Sequence, residues 1–217
     1  MAVPSTIADL STTLASNSPA GSESVFTNLD DYLRAHAQFI AQLRDGAYGT
    51  MALISSQSAS ASATIDFTSG ITSSYKKYIL EIIDYVPATD VTELWLRVSQ
   101  AATFLSGANY GYGTGYTNYT TAGYVGGDTA GTKMVLANGI SNGSGYGLSG
   151  RIEIYNPAGT SKRKNFQWDV TQYNSSGVAR YYGGGTYAAN NTAIDGFRLL
   201  SSSGNIASGT FKLYGVN

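Results

Sequence analysis

Alternation of apolar and polar residues dominates the chain from about residue 52 onward. In the segment LWLRV, residues 94–98, apolar positions alternate with Trp95 and Arg97. Side chains of a β-strand point alternately to the two faces of a sheet, so such a segment has one face for a core and one for solvent. The same period of two appears at 151–154, 166–170 and 211–214. Further strands are predicted at 61–67, 75–86, 131–137, 178–187 and 194–200.

About eight to ten strands joined by glycine, serine and asparagine turns are typical of an antiparallel β-sandwich. The composition agrees, with 26 glycines and 17 tyrosines against 4 prolines. Disorder is a poor alternative, because hydrophobic residues make up 42% of the chain. We therefore expect a mainly β protein whose residues 52–217 form a jelly-roll-like sandwich.

Charge and cysteine content exclude several classes of function. The chain carries 13 Lys and Arg against 14 Asp and Glu, so it lacks the basic character of a nucleic-acid or membrane-surface protein. It has no cysteine, so no disulfide or thiolate metal site is expected. No stretch approaches the roughly 20 apolar residues of a membrane span. The start, MAVPSTIADLS, does not resemble a secretory signal, and we expect synthesis in a cytosol.

A short helix is predicted over residues 28–46, NLDDYLRAHAQFIAQLRDG. Asn28 can cap it, and Gly46 stands where a left-handed stop is expected. An apolar stripe with the 4-3 spacing of a coiled-coil seam runs along it: Leu29, Leu33, His36, Ile40 and Leu43. Tyr32 and Phe39 flank this seam. A helix of this length is marginal alone, so either the same chain or the same helix in other copies must cover the stripe.

His36 is the only histidine of the chain, and its place on the seam has two interpretations. As a catalytic base it would need access to substrate. As a polar residue within a short bundle it would fix register and oligomer number at some cost in stability. The second interpretation is favoured, because an apolar seam suits assembly and not catalysis.

Three patterns could indicate chemistry, and each has a simpler explanation. GISNG, residues 139–143, fits the Gly-x-Ser-x-Gly motif of hydrolases, but no helical pattern follows the serine. GYGTGY, residues 111–116, opens no helix and is expected to be a loop and not a dinucleotide site. Asp84, Asp169 and Asp195 could bind calcium or cleave a glycosidic bond if the fold brought them together. Solvated positions are the favoured interpretation, and no enzyme activity, metal or cofactor is predicted.

Two aromatic segments, 107–127 and 179–191, mix tyrosine with glycine, asparagine, serine and threonine, and they are expected to be loops apart from the strand predicted at 178–187, unless their alternate tyrosines lie on strands that pack against neighbouring copies. Rigid amphipathic rings among small polar residues are typical of recognition surfaces. These tyrosines could stack on sugar rings or on a partner protein, or alternatively pack between subunits. The candidate receptor contacts are Tyr110, Tyr112, Tyr116, Tyr119, Tyr181, Tyr182 and Tyr187.

Residues 1–27 lack helical periodicity and are rich in turn-forming residues, which indicates an extended arm, either a disordered tail or a peptide that becomes ordered on a partner's surface. Together with the helix, this arm resembles the N-terminal attachment segment of fibre and decoration proteins of tailed bacteriophages, podovirus-like ones especially. The resemblance lies in Ser18, Pro19, Gly21, Ser22 and Glu23, followed by Asp30, Asp31, Tyr32 and Arg34. WLRVS, GRIEIYNP and SGTFKLYGV are similar, less specifically, to small phage β-sandwich domains.

The resemblance implies a homotrimeric virion protein made in the bacterial cytoplasm. Residues 1–27 would dock on the tail adaptor, portal region or capsid, residues 28–46 would trimerise, and the sandwich would project and contact a host glycan or protein. The residues that we assign to virion attachment are Pro4, Ile7, Leu10, Leu14, Pro19 and Gly21. A short tail fibre is the first hypothesis. A capsid decoration or head-fibre protein that binds no receptor is the alternative, and a polysaccharide depolymerase is the least favoured.

Overall fold

The computed structural model describes residues 29–44, 51–118, 122–174 and 176–216. The chain divides into two compact units, Met1–Leu53 and Ile54–Asn217. Helix α1 (Leu29–Arg44) lies in the first unit. Thirteen strands are present among the described residues: β1 (Met51–Ser62), β2 (Ile65–Phe67), β3 (Lys77–Pro87), β4 (Thr92–Gln100), β5 (Thr103–Phe104), β6 (Tyr110–Asn118), β7 (Ala122–Gly131), β8 (Met134–Ile140), β9 (Gly147–Tyr155), β10 (Lys164–Asn174), β11 (Gly177–Tyr187), β12 (Gly196–Ser201) and β13 (Ile206–Val216).

The strands form two antiparallel sheets. The larger sheet has the order β1-β13-β3-β9-β10-β11-β6-β7, and the smaller has the order β2-β12-β4-β5, with β8 also paired to β4. Eight strands, namely β1 to β4, β8, β9, β12 and β13, can be numbered one to eight along the chain. They then run 1-8-3-6 in one sheet and 2-7-4-5 in the other, which is the arrangement of a jelly roll. The prediction of a mainly β protein with one short helix and an antiparallel sandwich is therefore confirmed.

Four further strands widen the larger sheet beyond β9. The β6–β7 hairpin is inserted between β4 and β8, and the β10–β11 hairpin between β9 and β12. The two hairpins join through antiparallel pairing of β11 with β6. We call these four strands, β10, β11, β6 and β7, the extension.

The core lies between the two sheets and follows the alternation seen in the sequence. In β10, Phe166, Trp168 and Val170 are buried, while Gln167 and Thr171 face solvent. The Phe166 ring meets the ring of Phe197 from β12 edge-on, with 6.4 Å between centroids. The period of two therefore separates core from surface as the sequence predicts.

GYGTGY is a strand and not a loop, which corrects the prediction for that segment. It lies within β6, whereas β11 confirms the strand predicted at 178–187. Glycine-rich runs suggest turns, but in β6 every second residue is tyrosine or threonine, which favours a strand. The glycines of β6 occupy its other face, whereas Gly183 and Gly185 of β11 face the core, where a Cβ would meet Trp168 and Met134.

Candidate functional site

Helix α1 has two apolar faces. Tyr32, Ala35 and Phe39 form one face, which is buried in the single chain. Leu29, Leu33, Ile40 and Leu43 form the other, and each is between 52% and 67% exposed. The exposed stripe lies about a quarter turn around the helix from the buried one.

His36 lies on the exposed stripe and is itself exposed. It contacts the Phe39 ring at 6.5 Å between centroids. A single chain therefore does not bury the predicted seam, and burial of His36 would need a partner, which we predict to be further copies of α1. That partner stays a prediction.

The predicted virion-attachment residues lie outside the described residues: Pro4, Ile7, Leu10, Leu14, Pro19 and Gly21. Tyr119 lies outside them as well.

Three of the predicted receptor contacts are core residues. Tyr110, Tyr181 and Tyr187 are buried, because their positions in β6 and β11 point between the sheets. The Tyr110 hydroxyl donates to the carbonyl of Leu105 at 2.8 Å and accepts from the amide of Val98 at 3.0 Å. The prediction that these three tyrosines contact a receptor is therefore wrong.

Tyr112 and Tyr116 also face the interior and are half-buried against the core. The Tyr116 ring stacks on Tyr181, with 6.1 Å between centroids. Tyr182 differs, because it points to the outer face and remains 43% exposed. Among the predicted contacts that the structure describes, it is the one placed openly on the surface.

The outer face of the extension has a floor without side chains. Register places Gly184 of β11 opposite Gly113 of β6 and opposite Gln167 of β10. A Cβ at Gly113 would meet no heavy atom within 4 Å, and one at Gly184 would meet only the Phe166 carbonyl oxygen, at 3.5 Å. The result is a depression of about 440 Å³, which we call the glycine trough. Its principal lining residues are Arg151, Glu153, Gln167, Asp169, Tyr182 and Gly184.

The Tyr182 ring forms one wall of this trough and rests on Gly115. A Cβ at Gly115 would lie 3.0 Å from Cε2, 3.0 Å from Cζ and 3.1 Å from the hydroxyl oxygen of Tyr182. If this Cβ lay in the plane of the ring, between Cε2 and the hydroxyl oxygen, Cζ would be farther from it than those two atoms are. Cζ is as close as Cε2, so the Cβ lies over the face of the ring. The ring therefore covers Gly115 with one face and turns the other face outward.

Paired charges form the opposite wall. The Glu153 carboxylate contacts Lys77 Nζ at 2.7 Å and accepts from the Tyr155 hydroxyl at 2.7 Å. These hydrogen bonds, that from Lys77 above all, lower the pKa of Glu153. The Asp169 carboxylate accepts hydrogen bonds from Nε and from a terminal nitrogen of Arg180. These two bonds lower the pKa of Asp169 as well. Both carboxylates are therefore ionised at neutral pH.

Two groups of the trough keep hydrogen-bonding capacity. Gln167 Oε1 lies 3.0 Å from the hydroxyl oxygen of Tyr155, whose single proton is donated to Glu153 at the shorter distance of 2.7 Å, and Gln167 Nε2 makes no hydrogen bond to the described residues. The Arg151 side chain is 62% exposed, and its Nε lies 3.3 Å from Glu153 Oε1. Arg151 and Asp169 also border a second depression of about 520 Å³, formed with Glu81, Ile83 and Gly150.

The structure does not assemble a hydrolase site from the sequence patterns. Ser141 follows β8 directly, and no helix follows it in the described chain. Asp84, Asp169 and Asp195 are held separately: Asp84 by Ser149, Asp169 by Arg180, and Asp195 by Ser99 and the amide of Ala102. No group of three acidic or histidine side chains that could hold a metal ion occurs in the part of the chain that the structure describes.

Sequence reasoning missed Arg151, Glu153, Gln167 and Gly184 as members of one site. They come from three consecutive strands, and only the pairing register of these strands brings the four residues together. One signal was present, because the alternation of glycine with tyrosine in 110–116 implies a strand with one bare face.

Comparison with known protein families, with curated proteins and with solved structures gives no match to this chain. Among the described elements, none is a helix with the length and hydropathy needed to cross a bilayer.

Proposed function

We propose that the chain is a structural virion protein of a tailed bacteriophage, a short homotrimeric tail fibre whose jelly roll contacts the host surface. The arm of residues 1–27 attaches it to another virion protein, and α1 joins three copies. The resemblance of residues 18–34 to phage attachment segments supports this proposal.

The observation that carries the proposal is the uncovered stripe of α1. Four large aliphatic side chains and His36 lie exposed at coiled-coil spacing. Burying a leucine or isoleucine stabilises by about 1.5–3 kcal/mol, so association of several copies is favourable. A single histidine among these residues suits a closed bundle of fixed number, since a polar core residue limits register and oligomer state.

The mass of the full-length protein in solution tests the assembly. We expect three times the chain mass of 22.8 kDa, and a monomer for Leu33→Glu, which places a charge in the seam. Gln38→Glu is the matched control, because Gln38 lies about half a turn away from the seam. A monomeric parent protein, or a trimer that tolerates Leu33→Glu, would contradict the proposal.

Labelling of intact phage particles with an antibody against the sandwich tests the location. Label at the tail supports the fibre. Label over the capsid would favour a decoration protein, and absence of label from purified virions would exclude both.

A further inference from the structure

The glycine trough has the shape of a binding site for a flat, ring-shaped ligand. Its floor at Gly184 consists of backbone alone, and Gly113, which pairs with Gly184 from β6, adds no side chain beside it, so a ligand can approach the sheet closely. The neighbouring strands hold this floor in place, because β11 pairs along its length with β10 on one side and with β6 on the other. A pocket on a rigid sheet is preformed, which limits the ordering cost of binding.

The outward face of Tyr182 supplies a surface for stacking. Because Gly115 supports the inner face, the ring lies against the sheet instead of standing in solvent. The Arg180 guanidinium lies 5.9 Å from the ring centroid and restricts it further. Such a ring offers amphipathic contact area at low conformational cost.

Planar polar groups line the same depression as this ring. Gln167 Nε2 and the Arg151 guanidinium can donate, and Asp169 and Glu153 can accept through lone pairs that their partners leave open. Donors and acceptors at the edge of an aromatic face match a molecule with apolar C–H faces and a hydroxyl rim. A sugar ring has this character.

The charges at the trough favour a ligand without net charge. Arg151 and the ion-pair partners Lys77 and Arg180 supply three positive charges, Glu153 and Asp169 supply two negative ones, and Glu81 of the adjoining depression supplies a third. An acidic ligand would face ionised carboxylates held in place by their partners. A strongly cationic ligand would meet Arg151.

We infer that the glycine trough binds an uncharged saccharide, with one sugar ring stacked on Tyr182 and its hydroxyls held by Gln167, Arg151 and Asp169. This inference rests on the proposed function in one respect: the saccharide would be the host-surface group that the fibre contacts.

Calorimetric titration of the full-length protein tests the inference. The probes are uncharged hexaoses of glucose, galactose, mannose, rhamnose and N-acetylglucosamine, with an oligogalacturonate of equal length as the acidic comparison. We expect at least one uncharged hexaose to bind and the oligogalacturonate not to. Binding of none, or of the acidic oligomer alone, overturns the inference.

Variants assign the binding to the trough. Gly184→Val fills the floor without a steric clash at Cβ, and we expect it to abolish binding while the thermal unfolding midpoint is kept. Gly126→Val is the matched control, since a Cβ there meets nothing within 4 Å and one at Gly184 makes only an ordinary contact with the Phe166 carbonyl oxygen. Tyr182→Ala should weaken binding about tenfold or more, and Tyr182→Phe should restore it. Unchanged affinity in both Gly184→Val and Tyr182→Ala overturns the inference.

The mass measurement separates this outcome from that of the proposed function. If the protein is a trimer and binds no saccharide, the fibre proposal stands and the trough is not its contact site. A monomer that binds an uncharged saccharide through Tyr182 supports the trough and contradicts the trimeric fibre.

Discussion

One face of the Tyr182 ring packs on Gly115. Two ring carbons and the hydroxyl oxygen of Tyr182 lie within 3.1 Å of the position that a Cβ of residue 115 would occupy. The two residues are directly opposite each other in the pairing of β11 with β6. An aromatic side chain of one strand thus packs on a glycine of the neighbouring strand. This arrangement fixes a large exposed ring without burying it.

Gly115→Ala should lift the Tyr182 ring and weaken saccharide binding without unfolding the protein. The ring must move by a few tenths of an ångström, which is easy for the exposed end of a side chain, so we expect a change within about 0.5 kcal/mol in the free energy of unfolding. Gly113→Ala is the control for stability, since its Cβ meets nothing. Urea unfolding and calorimetry measure both quantities, and a large loss of stability in Gly115→Ala would contradict the geometry.

Gly183 and Gly184 are neighbours, yet alanine should act on them in opposite ways. A Cβ at Gly183 would lie 2.5 Å from Trp168 Cζ2 and even closer to the carbonyl oxygen of Gly113. Backbone within a sheet cannot yield, so we expect Gly183→Ala to lose about 2–3 kcal/mol of unfolding free energy. Gly184→Ala meets only an ordinary contact, and a less flexible unfolded chain should leave it unchanged or up to about 1 kcal/mol more stable. Equal denaturation midpoints for the two variants would rule this account out.

The sequence predicts the sandwich and the helix because both depend on local periodicity. Segments such as 94–98 and 166–170 carry the period of two, and the stripe from Leu29 to Leu43 carries the helical spacing. The trough depends instead on which strands become neighbours. Arg151, Gln167 and Gly184 meet only because β9, β10 and β11 pair in one register, and Gly113 joins them from an insertion about 40 residues earlier in the chain.

The mistaken loop has a physical cause as well. Glycine weakens a strand and usually marks a turn, so 107–127 suggests irregular structure, whereas a strand is predicted at 178–187. Their tyrosines and threonines decide the outcome, because Tyr110, Thr114 and Tyr187 are buried between the sheets. Burial of the tyrosine rings outweighs the entropic cost of the glycines. The same burial removes these tyrosines from the surface where receptor contacts were expected.

Tyr110 should make the protein sensitive to alkaline pH. Burial is the main cause that raises the pKa of its hydroxyl to about 12, above the ordinary value of 10.0. Below pH 10 the group is protonated in both states, so it adds no pH dependence. Between about pH 10 and 12 the unfolded chain ionises first, and stability falls by on the order of 2 kcal/mol.

Urea unfolding at pH 8, 10 and 11 measures this loss. Tyr110→Phe should be less stable by about 1–3 kcal/mol at pH 8, because the amide of Val98 and the carbonyl of Leu105 lose their partner. Between pH 8 and 11 its stability should fall less than that of the parent protein. A parallel fall in both proteins would assign the alkaline loss to other tyrosines.

His36→Ile tests the seam at its polar position. If three copies of α1 pack along this stripe, isoleucine replaces a polar group in the bundle core, and we expect the trimer to resist guanidinium more strongly, by about 1 kcal/mol or more per chain. The unfolding midpoint should also rise with protein concentration, as it does for any folded state stabilised by association. Gln38→Ile adds the same side chain on the opposite side of the helix and should bring no such gain. If both variants shift the unfolding midpoint equally, or if the midpoint does not change with protein concentration, the stripe is not an interface between copies.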